Sequence, residues 1–324
     1  PTPTPTLTRV VCLCVSVCVF ALFLSLSLCV CLRTGMGLLS GWASGAWMAG
    51  LKNPGKYEDH NREAKSVVLG EHEIIEGARV VFSKPILQGR RQDVSITHGV
   101  SMGSSRMPAD YNFSAQFQNH MGFCSARWDS NKTRVINGKI KLSNMLSASA
   151  FFQFVPTGND FHSLEVDLRG KISESQVKKS GSQIFLSHMQ AVSPTLALGS
   201  QVQFSYTTFK TVVAGCARFD TEKLCVTGEI ATDGDFFTSY TQKFGPKANV
   251  VVSLSGSLPS RDSTVKFAWE YLLAHSRIRG VIESNGRVAC AVEERITPQA
   301  VLQLHGELDH VKETYRFGMG MTIG

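Results

Sequence analysis

The sequence predicts an all-β membrane protein: a transmembrane up-and-down β-barrel, preceded by a short helical segment. Three observations predict it. From residue 78 to residue 324, apolar and polar side chains alternate with a period of two, the pattern of strands that face hydrocarbon on one side and a polar interior on the other. The alternation continues through about 18 segments with no long helical interruption, at about 13 residues per strand and turn. That is the length of a tilted spanning strand plus a short connection. Charged residues make up only 18% of the chain, whereas hydrophobic residues reach an ordinary 43%. This composition disfavours disorder and coiled coil, and it leaves a β-rich soluble protein or a membrane barrel.

Residues 1–35 stand apart. Positions 10–32 carry no charge and are long enough to cross a bilayer as a helix. They follow a Pro-Thr repeat, and they are built almost entirely from Cys, Val, Leu, Ser and Phe, with Cys12, Cys14, Cys18, Cys29 and Cys31 among them. The segment is expected to be a mistranslated tract ahead of Met36, or a leader, and is set aside from the fold. The remaining cysteines, Cys124, Cys216, Cys225 and Cys290, form no CxxC pair and no zinc spacing, and nothing calls for disulfides. The +7 net charge of the whole chain falls to about +5 without Arg9 and Arg33.

Residues 36–77 form the second region. Asn53-Pro54-Gly55 is a turn signal. Residues 56–69 then read as one helix, with Tyr57, Ala64, Val67 and Val68 apolar among Glu58, Asp59, Arg62, Glu63 and Lys65. Its mixed charges argue mildly against a membrane-surface helix. His60 and Glu63 have no partner pattern that would make them part of a catalytic or metal site.

The barrel occupies residues 78–324, and its alternation is clearest near the C-terminus. Val265, Phe267, Trp269 and Tyr271 share one face, opposite Lys266, Ala268, Glu270 and Leu272. Tyr315, Phe317, Met319, Met321 and Ile323 share another, opposite Arg316, Gly318, Gly320 and Thr322. A soluble sandwich rarely sustains one meander for so long, and closing the sheet removes its exposed edges. The chain carries no dinucleotide fingerprint, phosphate loop, HExxH or GxSxG, so no enzyme is expected, and no cofactor or metal. Basic residues are interspersed with acids and no aromatic-basic motif occurs, so nucleic acid is not an expected partner.

Two features reach further. The last strand reads polar-x-Gly-x-x-apolar-x-apolar through Arg316, Gly318, Met321 and Ile323, a pattern similar to the sorting signal on the last strand of mitochondrial outer-membrane barrels. Any terminal strand containing Gly could also match it. Second, Asn53-Pro54-Gly55 with Glu58, Arg62 and Glu76-Gly77-Ala78-Arg79-Val80, then Ser193-Pro194-Thr195-Leu196-Ala197-Leu198-Gly199, then residues 317–324, occur in an order that resembles the channel-forming subunit of the mitochondrial outer-membrane protein translocase, the TOM complex.

That resemblance implies 19 strands, the first and last parallel, with the N-terminal helix inside the pore. The strand missing from the count of 18 is expected within residues 82–103 or 156–190. An odd number cannot close with antiparallel neighbours alone. It also implies a protein-conducting channel in the mitochondrial outer membrane. Its partners would be precursor proteins, receptor and small subunits of the complex, membrane lipid, the sorting and assembly machinery, and further copies of the chain. Presequences are basic and amphipathic, so a lumen that conducts them needs acidic sites. Glu165 and Asp167, alternating with outward Leu164, Val166 and Leu168, are candidates, as are Glu229, Glu270, Glu283, Glu293 and Glu307. Each exposed contact should be worth about 0–1 kcal/mol. The plainer alternative is that these carboxylates are solvated neighbours of Lys266, Arg277, Arg279, Arg287 and Arg316. The competing function is a metabolite pore of the voltage-dependent anion channel type.

Overall fold

The structure is a computed structural model, and it describes residues 51–324 except 90, 91, 104–107, 157 and 159. The expectations for residues 1–35 and 36–50 lie outside the described residues. Among the described residues no helix is long and apolar enough to cross a membrane.

Residues 77–324 form one closed sheet of 19 strands. The first half comprises β1 (Gly77–Gln88), β2 (Gln92–Met102), β3 (Asp110–Asn119), β4 (Gly122–Asp129), β5 (Arg134–Lys141), β6 (Leu146–Phe154), β7 (Phe161–Arg169), β8 (Ser173–Ser180), β9 (Gln183–Ala191) and β10 (Leu196–Ser205). It continues with β11 (Thr211–Asp220), β12 (Leu224–Ala231), β13 (Asp235–Lys243), β14 (Ala248–Ser257), β15 (Asp262–Leu272), β16 (Ser276–Glu283), β17 (Arg287–Thr297), β18 (Ala300–Asp309) and β19 (Thr314–Ile323). Each strand pairs antiparallel with the next. β1 closes on β19 in parallel, with Gly77 opposite Gly318 and Phe82 opposite Ile323. The odd strand number makes this one parallel seam a geometric necessity.

The strand missing from the sequence count is β8, within the 156–190 region. Its sequence, Ser-Glu-Ser-Gln-Val-Lys-Lys-Ser, is polar on both faces, so it carries no apolar alternation to read. Register alone fixes its faces: Glu174, Gln176 and Lys178 pair with inward residues of β7 and β9, whereas Ser175, Val177 and Lys179 lie on the outer face.

The outer face elsewhere is a belt of exposed apolar side chains, Leu164, Val166 and Leu168 on β7 and Val265 and Phe267 on β15 among them. Such a surface is unfavourable in water and suits hydrocarbon. The inner face carries the charged and small residues. Among the described residues an apolar cluster on this face, Val251, Ala268, Val281, Ala289 and Ala291, packs against Ala64, Val67, Leu69 and Ile74 of the N-terminal segment. That segment therefore lies inside the barrel.

Candidate functional site: a strapped lumen

The single helix expected over residues 56–69 is broken. A 3-10 turn at Tyr57–Asp59 is followed by helix α1 (Arg62–Val67) and a second 3-10 turn at Glu71–Glu73. The break has an electrostatic cause. Arg218 on β11 donates from Nη1 to the carbonyls of Asp59 (3.3 Å) and His60 (3.0 Å), and His60 Nδ1 lies 2.8 Å from the Tyr57 carbonyl. Carbonyls occupied in this way are withdrawn from the i to i+4 ladder that a continuous helix needs.

The segment is strapped along the wall by named contacts. Asn53 donates to the carbonyls of Gly170 (2.9 Å) and Ser173 (3.3 Å) at the β7–β8 turn. Its own Oδ1 accepts from the amide of Gly55 at 2.7 Å. Gly55 sits at φ +90°, a backbone that explains the glycine of the Asn-Pro-Gly signal. Lys56 is held between Glu165 and Asp167, the latter at 2.7 Å. Lys178 reaches Glu58 at 2.7 Å. Tyr57 donates its hydroxyl to Glu229 at 2.8 Å, and His60 Nε2 lies 3.3 Å from the same carboxylate.

Further along, Arg218 Nη2 pairs with Glu63 (2.5 Å) and Asp220 (2.7 Å). Arg277 Nη2 donates to the Ser66 carbonyl at 3.0 Å, and Arg287 Nη1 donates to that of Leu69 at 3.3 Å. Arg279 pairs with Glu73 at 2.9 Å. The strap thus crosses the inner face from β7 to β17, then reaches β19, where Ile75 lies over Gly318 and Gly320.

All seven predicted carboxylates project into the lumen, and all seven have partners. Glu270 pairs with Arg277 (2.5 Å) and accepts from Asn249 (2.8 Å). Glu283 pairs with Lys266 (3.0 Å) and Arg287 (2.6 Å). Glu293 pairs with Arg279 at 3.0 Å, and Glu307 with Arg287 (3.1 Å) and Arg316 (2.7 Å). The basic neighbours anticipated from the sequence are thus the actual partners. Asp167, Glu270, Glu283 and Glu307 are buried, a departure from the exposed sites expected. The cause is the strap together with the arginines, which cover them. Glu165, Glu229 and Glu293 remain partly open to the lumen.

Sequence reasoning missed Arg218 and Lys56. The signal for Arg218 was an arginine on the inward face of a strand that also carries Cys216 and Ala214, a poor place for a charge without a partner. Glu63, Asp220 and Cys225 cluster closely enough to suggest a metal site. The Arg218 guanidinium already bridges the two carboxylates and supplies the positive charge there.

The inner faces of β2–β6 differ from the strapped arc. Thr97, Ser114, Gln116, Ser125, Asn137 and Ser149 line them by register with the inward residues of β7. This arc borders an open cavity of about 460 Å³, whose walls include Lys56, Phe123, Lys139, Phe151, Phe161 and Lys178. A largely neutral, hydrogen-bonding wall faces a charged, strapped one.

Two groups on the strap give it a pH dependence. Burial pushes the His60 imidazole below its ordinary 6.5, against the pull of the Tyr57 carbonyl and Glu229, with Lys65 and Arg218 adding to the depression. Burial alone would raise the Glu63 carboxyl, but the charge and hydrogen bond of Arg218 outweigh it and hold the group below 4.5. Both folded values lie below the released ones, so the docked strap binds fewer protons. Its stability is complete at high pH and is lost as pH falls, from about 6.5 downward for His60 and at lower pH for Glu63. Acidification from about pH 8 to about pH 5 is expected to raise open-pore current noise, and His60→Gln should remove the upper part of that response. A noise level independent of pH across this range would contradict the assignment.

A closed sheet with an apolar outer belt and a polar lumen defines a transmembrane β-barrel pore. The eukaryotic porin family model matches residues 53–318, and the chain belongs to that family. Among curated relatives it is 27% identical to the probable mitochondrial import receptor subunit TOM40-2 of Arabidopsis thaliana, over 83% of this chain and 89% of that protein. It is 22% identical to mitochondrial import receptor subunit TOM40 of Saccharomyces cerevisiae, over 84% and 78%, and 23% identical to the Homo sapiens TOM40 homolog, over 85% and 79%. The expectation of a channel without chemistry of its own agrees with this membership.

Proposed function

We propose that this chain is the pore-forming subunit of the mitochondrial protein-import translocase, integral to the mitochondrial outer membrane. The observation that carries the reading is collinear similarity to import subunits of plant, fungal and animal origin over more than four-fifths of the chain. The lumen supports it. The strap is fixed to one arc, so the β2–β6 arc remains available to a polypeptide in transit. Its side chains offer weak, exchangeable hydrogen bonds, and a substrate bound tightly would not leave.

In this reading the presequence path runs past Glu165, Asp167, Glu229, Glu270, Glu283, Glu293 and Glu307. Glu165, Glu229 and Glu293 make direct contact, and the buried four set the local potential and hold the strap. Precursor proteins, receptor and small subunits, lipid, the assembly machinery and further copies of the chain are its partners. Arg316, Gly318, Met321 and Ile323 serve as the sorting signal on β19.

A planar-bilayer recording titrated with a basic amphipathic presequence peptide tests the proposal. Cation-selective current interrupted by the peptide is expected, and Glu293→Gln should weaken the block by about twofold. Anion-selective current indifferent to the peptide would instead identify a metabolite pore.

A further inference from the structure

Wall and strap divide their charges in one sense along most of the contact. The wall supplies the cation: Arg218 holds Glu63, Arg279 holds Glu73, and Arg287 holds the Leu69 carbonyl. Lys178 of β8 holds Glu58 in the same sense. At Lys56 the sense reverses. Among the described residues Lys56 is the one lysine or arginine of the strap that pairs with wall carboxylates, those of Glu165 and Asp167. Arg62 and Lys65 turn to Glu63 and to the Glu58 carbonyl, both within the strap.

The reversed end is also the open end. Lys56 and Glu165 border the lumen cavity, with side-chain exposures of 21% and 18%, whereas Asp167 behind them is 4% exposed. A second ammonium, that of Lys139 on β5, lines the same cavity and stands 3.9 Å from Asp167. The acidic pair therefore keeps one cation if Lys56 leaves, and another can enter from the cavity. Such an exchange avoids the uncompensated buried carboxylate that makes a one-sided break costly. The hydrogen bonds of Arg218, Arg277 and Arg287 to the strap reach no residue before Asp59. Residues 53–56 can thus leave alone, with buried Tyr57 and its bond to Glu229 marking where the release stops.

We propose that Lys56 is an internal ligand of the Glu165–Asp167 pair, and that a basic side chain of the transported polypeptide exchanges with it. The strap then competes with cargo for the same acidic site. A ligand on a short tether acts at an effective concentration of about millimolar, so a lone ammonium does not displace it. A basic amphipathic segment does, because its apolar face meets Phe123, Phe151 and Phe161 of the cavity while its cation enters the pair. The inference rests on the import reading, and its test separates the two.

The full chain in planar bilayers is titrated with an amphipathic peptide whose only cations are arginines. Lys56→Gln is expected to strengthen block of the current by about fivefold, because the pair loses its internal competitor. Lys56→Arg, which keeps a cation there, should be blocked as the wild type is. Lys178→Gln removes a neighbouring lumen cation without freeing the pair, and its gain should stay below about twofold. In a Glu165→Gln chain, adding Lys56→Gln should bring no gain. A lysine that merely braces the strap predicts a block unchanged or weakened by Lys56→Gln, and that result would overturn the proposal, as would equal gains from Lys56→Gln and Lys178→Gln. A second measurement needs no substitution. Saturating peptide should raise acetylation of Lys56 by a water-soluble reagent in the wild-type chain, read by mass spectrometry against exposed Lys223. Unchanged acetylation of Lys56 under full block would overturn the exchange. A peptide that blocks none of these chains would remove the import reading, and this inference with it.

Discussion

Replacing Arg218 by Gln releases the strap. Arg218 is buried and is the only side chain among the described residues that binds the Asp59 and His60 carbonyls and Glu63 together. Its removal leaves two carbonyls without that donor, Glu63 with only the surface Arg62 as an ionic partner, at 3.2 Å, and Asp220 with only Lys243 at 3.9 Å. Breaking a buried ionic pair from one side costs about 3–5 kcal/mol. The sheet keeps its strand ladders, so the loss falls on docking of the segment and not on the barrel. The readout is built in. Cys225, at 1% exposure, and Cys216, at 6%, are buried on the inner face beside Glu63 and Tyr57, and the Cys225 thiol lies 3.8 Å from Glu63. Since about 1.4 kcal/mol is a tenfold change, a small maleimide should label these two thiols about two to three orders of magnitude faster in the variant. Cys124 and Cys290 lie on the outer face that meets hydrocarbon and are expected to be unchanged between the two chains, and the denatured chain, in which every thiol is accessible, provides the labelling standard. Unchanged labelling of Cys225 would show that Arg218 does not hold the strap.

A Cβ at Gly318 prevents closure. The backbone carbonyl of Ile75 occupies the space where that atom would go, and backbone cannot step aside. At Gly320 the obstacles are Ile75 Cδ1 and Gln303 Oε1, both at the ends of flexible side chains. Gly318→Ala is therefore expected to cost at least the 1–3 kcal/mol typical of overpacking, roughly, and Gly320→Ala clearly less. The pair separates two roles for the same glycine. If Gly318 serves only as part of a signal read during insertion, Gly318→Ala chain refolded from denaturant into detergent should close normally. The steric account predicts that it does not, with heat-shifted gel migration lost for Gly318→Ala and retained for Gly320→Ala.

The parts of this architecture that could be read in the sequence were those repeated many times. Strands such as β15 and β19 carry a clean two-residue period, because one face meets hydrocarbon and the other does not. β8 broke the pattern because Ser175 and Lys179 face outward where Leu168 and Leu164 stand opposite them on β7. The inward direction of all seven carboxylates followed from period alone. Their partners did not, because ion pairs such as Lys56 with Asp167 or Arg279 with Glu73 join residues far apart in the chain, and no local period records them. The break in the helix was hidden for the same reason: its cause is a side chain on β11.

The most direct test of a protein-conducting lumen is photocross-linking of a precursor arrested in transit through mitochondria. A photoreactive residue is placed at inward Ser125, Asn137 or Ser149 and, in parallel, at the outward neighbours Ala126, Ile136 and Ala148. Adducts to the arrested precursor at the inward positions, absent at the outward ones, are the predicted result. Adducts at neither set, or equally at both, would contradict passage of the polypeptide through this pore.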